Sequence, residues 1–512
     1  MDDASEHSGL PHTVGGRAPV LLGVGTVCQR LDAAPLPGLG PIELMQEALR
    51  RSLADAQVAG LAGRLDAVLV PRGTWKHADP GRAVAAAVGA DAVRSVVSEV
   101  GVLQQSLIAL ACRLVATGEA RAVAVVGGEA MHRARVAAAA GVELSADVAD
   151  GPWPGPDEVL APGGEIVSAM EIERHFAVPV HQYALIESVL AHCDGHTPRE
   201  RETHVARLWA RGAEVAADLP DDSDVWDPTR WTAAELSSPA RGNRLLASPY
   251  RRRCVSDWTV DQAAALVVAS VDTARELGVD PGRWVSPVAL GETNHIVALS
   301  ARPDLGGCPA WRLIGHELAA ACGVAAGDVD HLDLYSCFPS AVQVAAAELL
   351  GIDDLAGRPW TVTGGMTFGG GPFNNYVLQS TAAMARVLRT RPGETGLVTS
   401  VSGMLSKVAA AVWRGGAPQA ELVDFDVSAR AAALSPARRE RPDLQGEARV
   451  VAATVVHDRE GPVRALAVVE SAAGERCAAV TEDGATIAVW SERDVVGELV
   501  TVDGRGALVS AS

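Results

Sequence analysis

Lysine is almost missing from this 512-residue chain: Lys76 and Lys407 are the only two, and arginine supplies the remaining positive charge. Basic charge as a whole is short, with 44 Lys plus Arg against 63 Asp plus Glu and a formal net charge of −19. A surface of that sign repels phosphate backbones, which excludes general nucleic-acid binding. No apolar run reaches the length a bilayer requires, so no membrane-spanning helix is expected. The start, Met-Asp-Asp-Ala-Ser-Glu-His, is acidic where a secretory signal is basic, and a cytoplasmic protein is expected. Aromatics make up only 4%, and the eight cysteines are scattered without a Cys-x-x-Cys pair. His192 and His196 flank Cys193, but no second cluster completes a metal set. The cysteines are expected as small core residues, and no metal is implied.

Ala, Val and Gly dominate what is there, a bias that fits a GC-rich bacterial genome and carries no mechanism by itself. The most unusual stretch is Gly364-Gly-Met-Thr-Phe-Gly-Gly-Gly-Pro-Phe-Asn-Asn-Tyr376. Five glycines in eight residues let the backbone enter positive φ and let another group approach the main chain closely. By itself such a loop is also ordinary strand-to-helix punctuation.

Apolar spacing divides the chain. Strand-like runs at 18–27, 65–70, 92–100 and 121–126 alternate with helical patterns at 41–61, 83–88 and 103–117. That rhythm indicates a mainly parallel sheet covered by helices. It breaks at 145–165, and 150–253 reads as a mostly helical insertion ending in Pro249-Tyr-Arg-Arg-Arg253. The basic triplet is either a solvated turn or an anion site. Strands at 261–271, 284–292, 329–334 and 394–401 and helices at 314–322, 340–350 and 377–390 then repeat the first pattern. The expected domains are a disordered leader at 1–17, a first half at 18–290 containing the insertion, and a second half at 291–425. A linker at 426–446 leads to a β domain at 447–512. Five short Val/Ala runs there (447–456, 462–471, 475–481, 485–490 and 498–509) suggest a small OB-like β-barrel.

Four ordered pieces resemble the thiolase superfamily, and most closely its thiolase-like proteins with an additional C-terminal domain. They are Val125-Val-Gly-Gly-Glu-Ala-Met131, the segment 257–266, Asp333-Leu-Tyr-Ser-Cys-Phe-Pro-Ser340 and the Gly-rich loop. The resemblance spans about residues 18–425. It implies an α/β thiolase fold of duplicated halves in five αβαβα layers, with a loop domain and a pocket for coenzyme A thioesters.

Thiolase chemistry needs a cysteine thiolate at a helix N-terminus, a histidine base, a second cysteine for proton transfer and a polar holder of the thioester oxyanion. By the resemblance, all four positions depart from this set. Gly101 (or Val100, one residue earlier) replaces the nucleophile, and Tyr335 in Tyr335-Ser-Cys-Phe338 replaces the oxyanion holder. Gly371 in Gly370-Gly-Pro372 replaces the histidine, and Ser400 in Ser400-Val-Ser-Gly403 replaces the second cysteine. Standard thiolysis or Claisen condensation is therefore not expected, because such groups act as a unit.

Three readings follow from the resemblance. One is an acyl-CoA binder, its contacts Gly369, Gly370, Pro372, Asn374 and Asn375 in the loop, with Arg251, Arg252 and Arg253 for the nucleotide phosphates. Another is an acyltransferase of altered mechanism using Cys337, with Tyr335, Ser400 and Asn374 as polar neighbours. No histidine of the quoted motifs stands ready as its base, His295, His316 and His331 are more often surface or core residues than a base, and Cys112 is left as a core thiol. The third is a non-catalytic subunit beside an active thiolase-type partner. No cofactor beyond coenzyme A or its thioester is implied, and a homodimer through the first half's sheet is one possible assembly.

Overall fold

The computed structural model describes residues 15–31, 38–144, 155–220, 223–323, 325–355 and 357–509. Most of the expected leader, and the centre of the connection at 145–165, lie outside the described residues.

Two sheets built on one plan form the frame. In the first half, Leu65–Pro71 runs parallel to Ala122–Ala130, which is antiparallel to Asp261–Ser270, itself antiparallel to Pro19–Cys28. In the second, His331–Asp333 runs parallel to Thr395–Ser402, then Lys407–Gly415 and Val285–Thr293 follow, each antiparallel to its neighbour. The order and sense of pairing are the same, so the repeat read from the sequence is a repeat of structure. Leu21 pairs with Val285 and joins the two sheets edge to edge. The strand Lys407–Gly415 is absent from the sequence expectations, although its residues through Trp413 are all buried.

Two helices sit between the sheets. Gln104–Thr117 and Tyr376–Arg389 each touch strands of both halves and each other. Both are buried over most of their length, and Ser380 and Thr381 turn their hydroxyls back to the carbonyl of Val377 at 3.1 and 2.7 Å. This satisfies polar groups that would otherwise be costly inside. Pro41–Asp55 covers the outer face of one sheet and Pro309–Cys322 that of the other, which completes the αβαβα layering of the thiolase fold.

The insertion is mostly helical, with Pro179–Cys193 and Pro198–Asp218 as its main helices. Its closing strands, Leu245–Ala247 and Tyr250–Arg251, join a second, antiparallel sheet. That sheet contains Gln445–His457, Pro462–Glu470, Arg476–Thr481, Leu499–Asp503 and Leu508–Val509. Arg476–Thr481 and Leu508–Val509 are its two outer strands, and a bridge between Val480 and Ala507 brings them together.

Two expectations need correction. The run at 485–490 is a helix, Gly484–Glu492, not a strand. Asp483 caps it by accepting from the Thr486 N–H at 2.8 Å, and its buried residues Ile487 and Trp490 stand three apart. The linker at 426–446 carries a helix, Ser428–Leu434, after a strand Val423–Asp426 that pairs with Val285–Thr293. Along the outer strand of the first half, Arg94–Ser98, the short strand Glu158–Leu160 pairs in parallel.

Candidate functional site

The starts of the two middle-layer helices carry the positions that the thiolase resemblance assigns to chemistry. Before Gln104 the chain turns at Val100 and Gly101, and the two differ sharply. Val100 is 47% exposed, whereas Gly101 faces inward with φ +102°. A β-carbon on Gly101 would lie 3.1 Å from Ile166 Cδ1 and 3.3 Å from Pro162 Cγ. A cysteine there would meet both backbone strain and the insertion's own side chains. The Gly101 carbonyl is held by Lys407 Nζ at 2.7 Å and Ser402 Oγ at 3.2 Å.

The second half repeats the closure. A β-carbon on Gly371 would stand 2.1 Å from Ser256 Oγ and 3.0 Å from the Met366 carbonyl, so no histidine fits without rearrangement. The Gly371 N–H donates to the Asp257 carbonyl at 2.9 Å. Gly370 takes φ +98° with Gln262 Oε1 2.1 Å from where a β-carbon would be, and Gln262 donates to the carbonyl of Gly369 at 2.8 Å. The loop is thus folded onto its own neighbours. Pro372 accepts from the Asn375 N–H at 2.8 Å, and the Asn374 amide donates to the Arg72 carbonyl at 3.1 Å. Asn375 is buried, with no partner for either side-chain atom among the described residues.

Tyr335 and Ser400 lie inside. The Tyr335 ring meets Tyr376 edge to face at 5.8 Å, and burial raises its hydroxyl's pKa, while a hydrogen bond with Gln104 acts in the other direction. Tyr376 donates to Asp333 Oδ1 at 2.8 Å, and the other Asp333 oxygen accepts from Thr361, Val362 and Thr363 at 2.8–3.1 Å. Ser400 is buried, and its hydroxyl has no partner among the described residues.

Cys337 is not a ready nucleophile. Burial pushes its thiol up to about 12, above the opposing effect of a Tyr183 hydrogen bond, so almost none is thiolate at neutral pH. His331 is paired with Glu394 at 2.6 Å and His316 is largely exposed. His295 lies in a small depression beside Arg302 and Ser435. None of the three bonds to Cys337 among the described residues. Cys112 is fully buried and likewise pushed up to about 12 by desolvation. His192 pairs with Asp494 at 2.5 Å, and no group of three or more His, Cys, Asp or Glu suited to a metal occurs among the described residues.

The basic triplet separates into three roles. Arg251 is tied to Glu202 at 2.5 Å and to the Asn243 carbonyl at 3.1 Å. Arg253 lies over the Trp231 ring, 4.1 Å from its centroid, with Asp227 at 3.9 Å. Arg252 is exposed and acts electrostatically on Asp257, the residue whose carbonyl holds Gly371. Trp258, 50% exposed, and Phe373, 38% exposed, stand near that point.

Two residues escaped sequence reasoning. Gln104 accepts from the Val377 N–H at 2.7 Å and donates to Asn374 Oδ1 at 3.4 Å, clamping the starts of the two middle helices together. Lys407 is one of only two lysines in the chain and sits inside an apolar strand, a signal that was available.

This duplicated, layered fold with paired helix starts is that of the thiolases, and the chain belongs to the thiolase superfamily. A monomeric SCP2-thiolase-like protein type 1 from Mycobacterium smegmatis is similar at a TM-score of 0.80 and 26% identity, over 97% of this chain and 100% of that one. Coverage that wide reaches into the C-terminal sheet. The human mitochondrial 3-ketoacyl-CoA thiolase in complex with CoA matches 78% of this chain and 99% of its own at a TM-score of 0.55 and 16% identity. The Ltp2-ChsH2(DUF35) aldolase matches 78% of this chain and 98% of its own at 0.56 and 19%. No protein-family model and no curated sequence matches.

Proposed function

We propose that this protein binds an acyl-CoA or related thioester on the surface beside the two middle-helix starts without performing thiolase chemistry. The observation that carries the reading is the closure around Gly101. The place of the nucleophile is held at positive φ and packed by Pro162 and Ile166, so the missing cysteine reflects a remodelled site and not a single substitution. The place of the base at Gly371 is filled by Ser256 in the same way.

Binding is supported by the exposed residues beside those helix starts. Val100, Trp258 and Phe373 offer exposed apolar surface near the Gly-rich loop, and Arg252 offers an exposed guanidinium suited to phosphate. With Arg251 and Arg253 engaged internally, Arg252 is the member of the triplet left for a ligand. The match to a thiolase solved with CoA agrees with this class of ligand.

Titration calorimetry with CoA and acetyl-CoA tests the reading. Saturable binding weakened about tenfold or more by Arg252→Ala is expected, the scale of one charge-assisted contact. Acetoacetyl-CoA should not be thiolysed above the buffer rate. Turnover would overturn the non-catalytic part, and lack of binding at millimolar ligand would overturn the other.

A further inference from the structure

The segment that covers Gly101 is fastened to the outer strand of the first half. The Asp157 N–H donates to the Ser95 carbonyl at 2.8 Å, and the Asp157 carboxylate accepts from the Ser95 N–H at 2.7 Å. Arg82 Nη2 reaches both oxygens of that carboxylate at 2.7 Å. Glu158 pairs with Arg94, and the Glu99 N–H donates to the Leu160 carbonyl at 2.8 Å. Pro162 then reaches the elbow, its Cγ 3.3 Å from where a β-carbon on Gly101 would stand. The far end is fixed separately, because Ser168 Oγ donates to Glu440 at 2.8 Å.

What holds residues 156–162 can be released at little cost. Arg82 keeps a second carboxylate, Asp79, at 2.5 Å, and Asp79 is itself buried and bonded by Ser95 Oγ at 2.6 Å. Removing Asp157 therefore leaves no buried charge without a partner. The side chains of Arg94 and Glu158 are 43% and 38% exposed, so that pair parts into water. The Gly101 carbonyl stays with Lys407 and Ser402. Apolar anchoring is thin: Val159 is exposed, and Leu160 and Pro162 are only half-buried. Gly163 and Gly164 follow. A β-carbon on the first would meet nothing within 4 Å, and one on the second only Ile296 Cδ1 at 3.9 Å, so the chain is free to bend there. Few buried contacts and hydrogen bonds near water mark a segment that opens locally.

We propose that residues 156–162 are a strap that lifts off the first half about Gly163 and Gly164, and that the lifted state admits the acyl end of a CoA thioester beside Gly101. Only the admission of the acyl end depends on the ligand proposed above. With the strap down, Pro162 occupies the space over Gly101 and the acyl end is shut out. Ile166 lies beyond the hinge and stays, its Cδ1 3.1 Å from the same β-carbon position, and bounds the opened space. The strap's ion pairs are partly exposed, so salt screens them and shifts the balance toward the lifted state.

Peptide-resolved hydrogen exchange on the full chain without ligand reads the strap directly. Exchange over 94–99 and 156–162 should rise together by about fivefold between about 0.05 M and 0.5 M NaCl. Leu65–Pro71, the next strand inward, should not respond. Asp157→Asn should produce the same rise at low salt, with thermal melting as the check that it folds. Exchange of both stretches at the rate of Leu65–Pro71, indifferent to salt and to Asp157→Asn, overturns the strap. Calorimetry with CoA and octanoyl-CoA then tests the acyl role. Asp157→Asn should tighten octanoyl-CoA by about fivefold and leave CoA unchanged. The same response from both ligands, or none from either, overturns that role. Failure of both ligands to bind would sink the proposed ligand and the acyl role together, and the exchange result would still decide the strap.

Discussion

Lys407 Nζ donates to the Gly101 carbonyl at 2.7 Å, so a side chain of the second half holds the elbow of the first. The lysine is buried, and desolvation lowers its pKa below 10.5, with Glu292 acting in the opposite direction. Between the lowered value and 10.5 the unfolded chain binds more protons than the folded one, so this group's contribution to stability rises with pH there. In urea titrations across that window, wild type should gain on Lys407→Met as pH rises. A constant difference would mean that the lysine is charged inside at no penalty.

Gly101→Cys should not restore thiolysis of acetoacetyl-CoA. It should also lower stability by about 1–3 kcal/mol, the usual cost of a side chain at such a backbone angle. Adding Gly371→His should leave the double variant inactive, since the Ser256 hydroxyl lies where the new side chain must pass. Thiolysis in either variant would show that the pocket had only lost its reactive groups and kept its shape.

The duplicated halves were legible because both burial patterns repeat in order, and the insertion was legible as a break in that rhythm. The helix Gly484–Glu492 was not, because a short Ala/Val run fits either period and the Asp483 cap decided it. At the site, the resemblance read from the sequence put Gly101 and Gly371 at the positions of the nucleophile and the base. It did not reveal that Pro162, Ile166 and Ser256 close around them, since those contacts join segments far apart in the chain. The arginine triplet showed the same limit. Three adjacent identical residues point to a carboxylate, to a ring and to solvent, and only their partners separate them.

Glu129, in the Gly127-Gly-Glu motif, supplies a second pH signature. Burial pushes its carboxyl up to about 7, against the opposing hydrogen bonds from Thr74. Its folded pKa exceeds the unfolded value of 4.5, so the folded chain holds the extra proton between 4.5 and 7. Stability from this group is therefore present at the acid end of that window and is lost as pH rises through it. Relative to Glu129→Gln, wild type should lose about 2–3 kcal/mol between the two ends, since each tenfold change in proton affinity is worth about 1.4 kcal/mol. Equal pH profiles in chemical denaturation would mean that the carboxylate is ionised at no cost.

The covered edge of the first half makes a prediction about assembly. Val96, Val97 and Ser98 pair with Glu158, Val159 and Leu160. The Asp157 N–H donates to the Ser95 carbonyl and the Glu99 N–H to the Leu160 carbonyl, both at 2.8 Å. Arg82 grips both Asp157 oxygens at 2.7 Å, and Arg94 pairs with Glu158 at 2.5 Å. An edge strand presents unpaired backbone groups that recruit another strand, and this segment occupies them. Only three residues long, it offers little edge of its own. The chain should therefore sediment as a 53.0 kDa monomer at all concentrations. Asp157→Ala combined with Val159→Pro removes the clamp and a strand N–H, and should produce concentration-dependent self-association. A wild-type dimer that persists on dilution would place the interface elsewhere, and an unchanged monomer in the double variant would mean that the segment does not guard this edge.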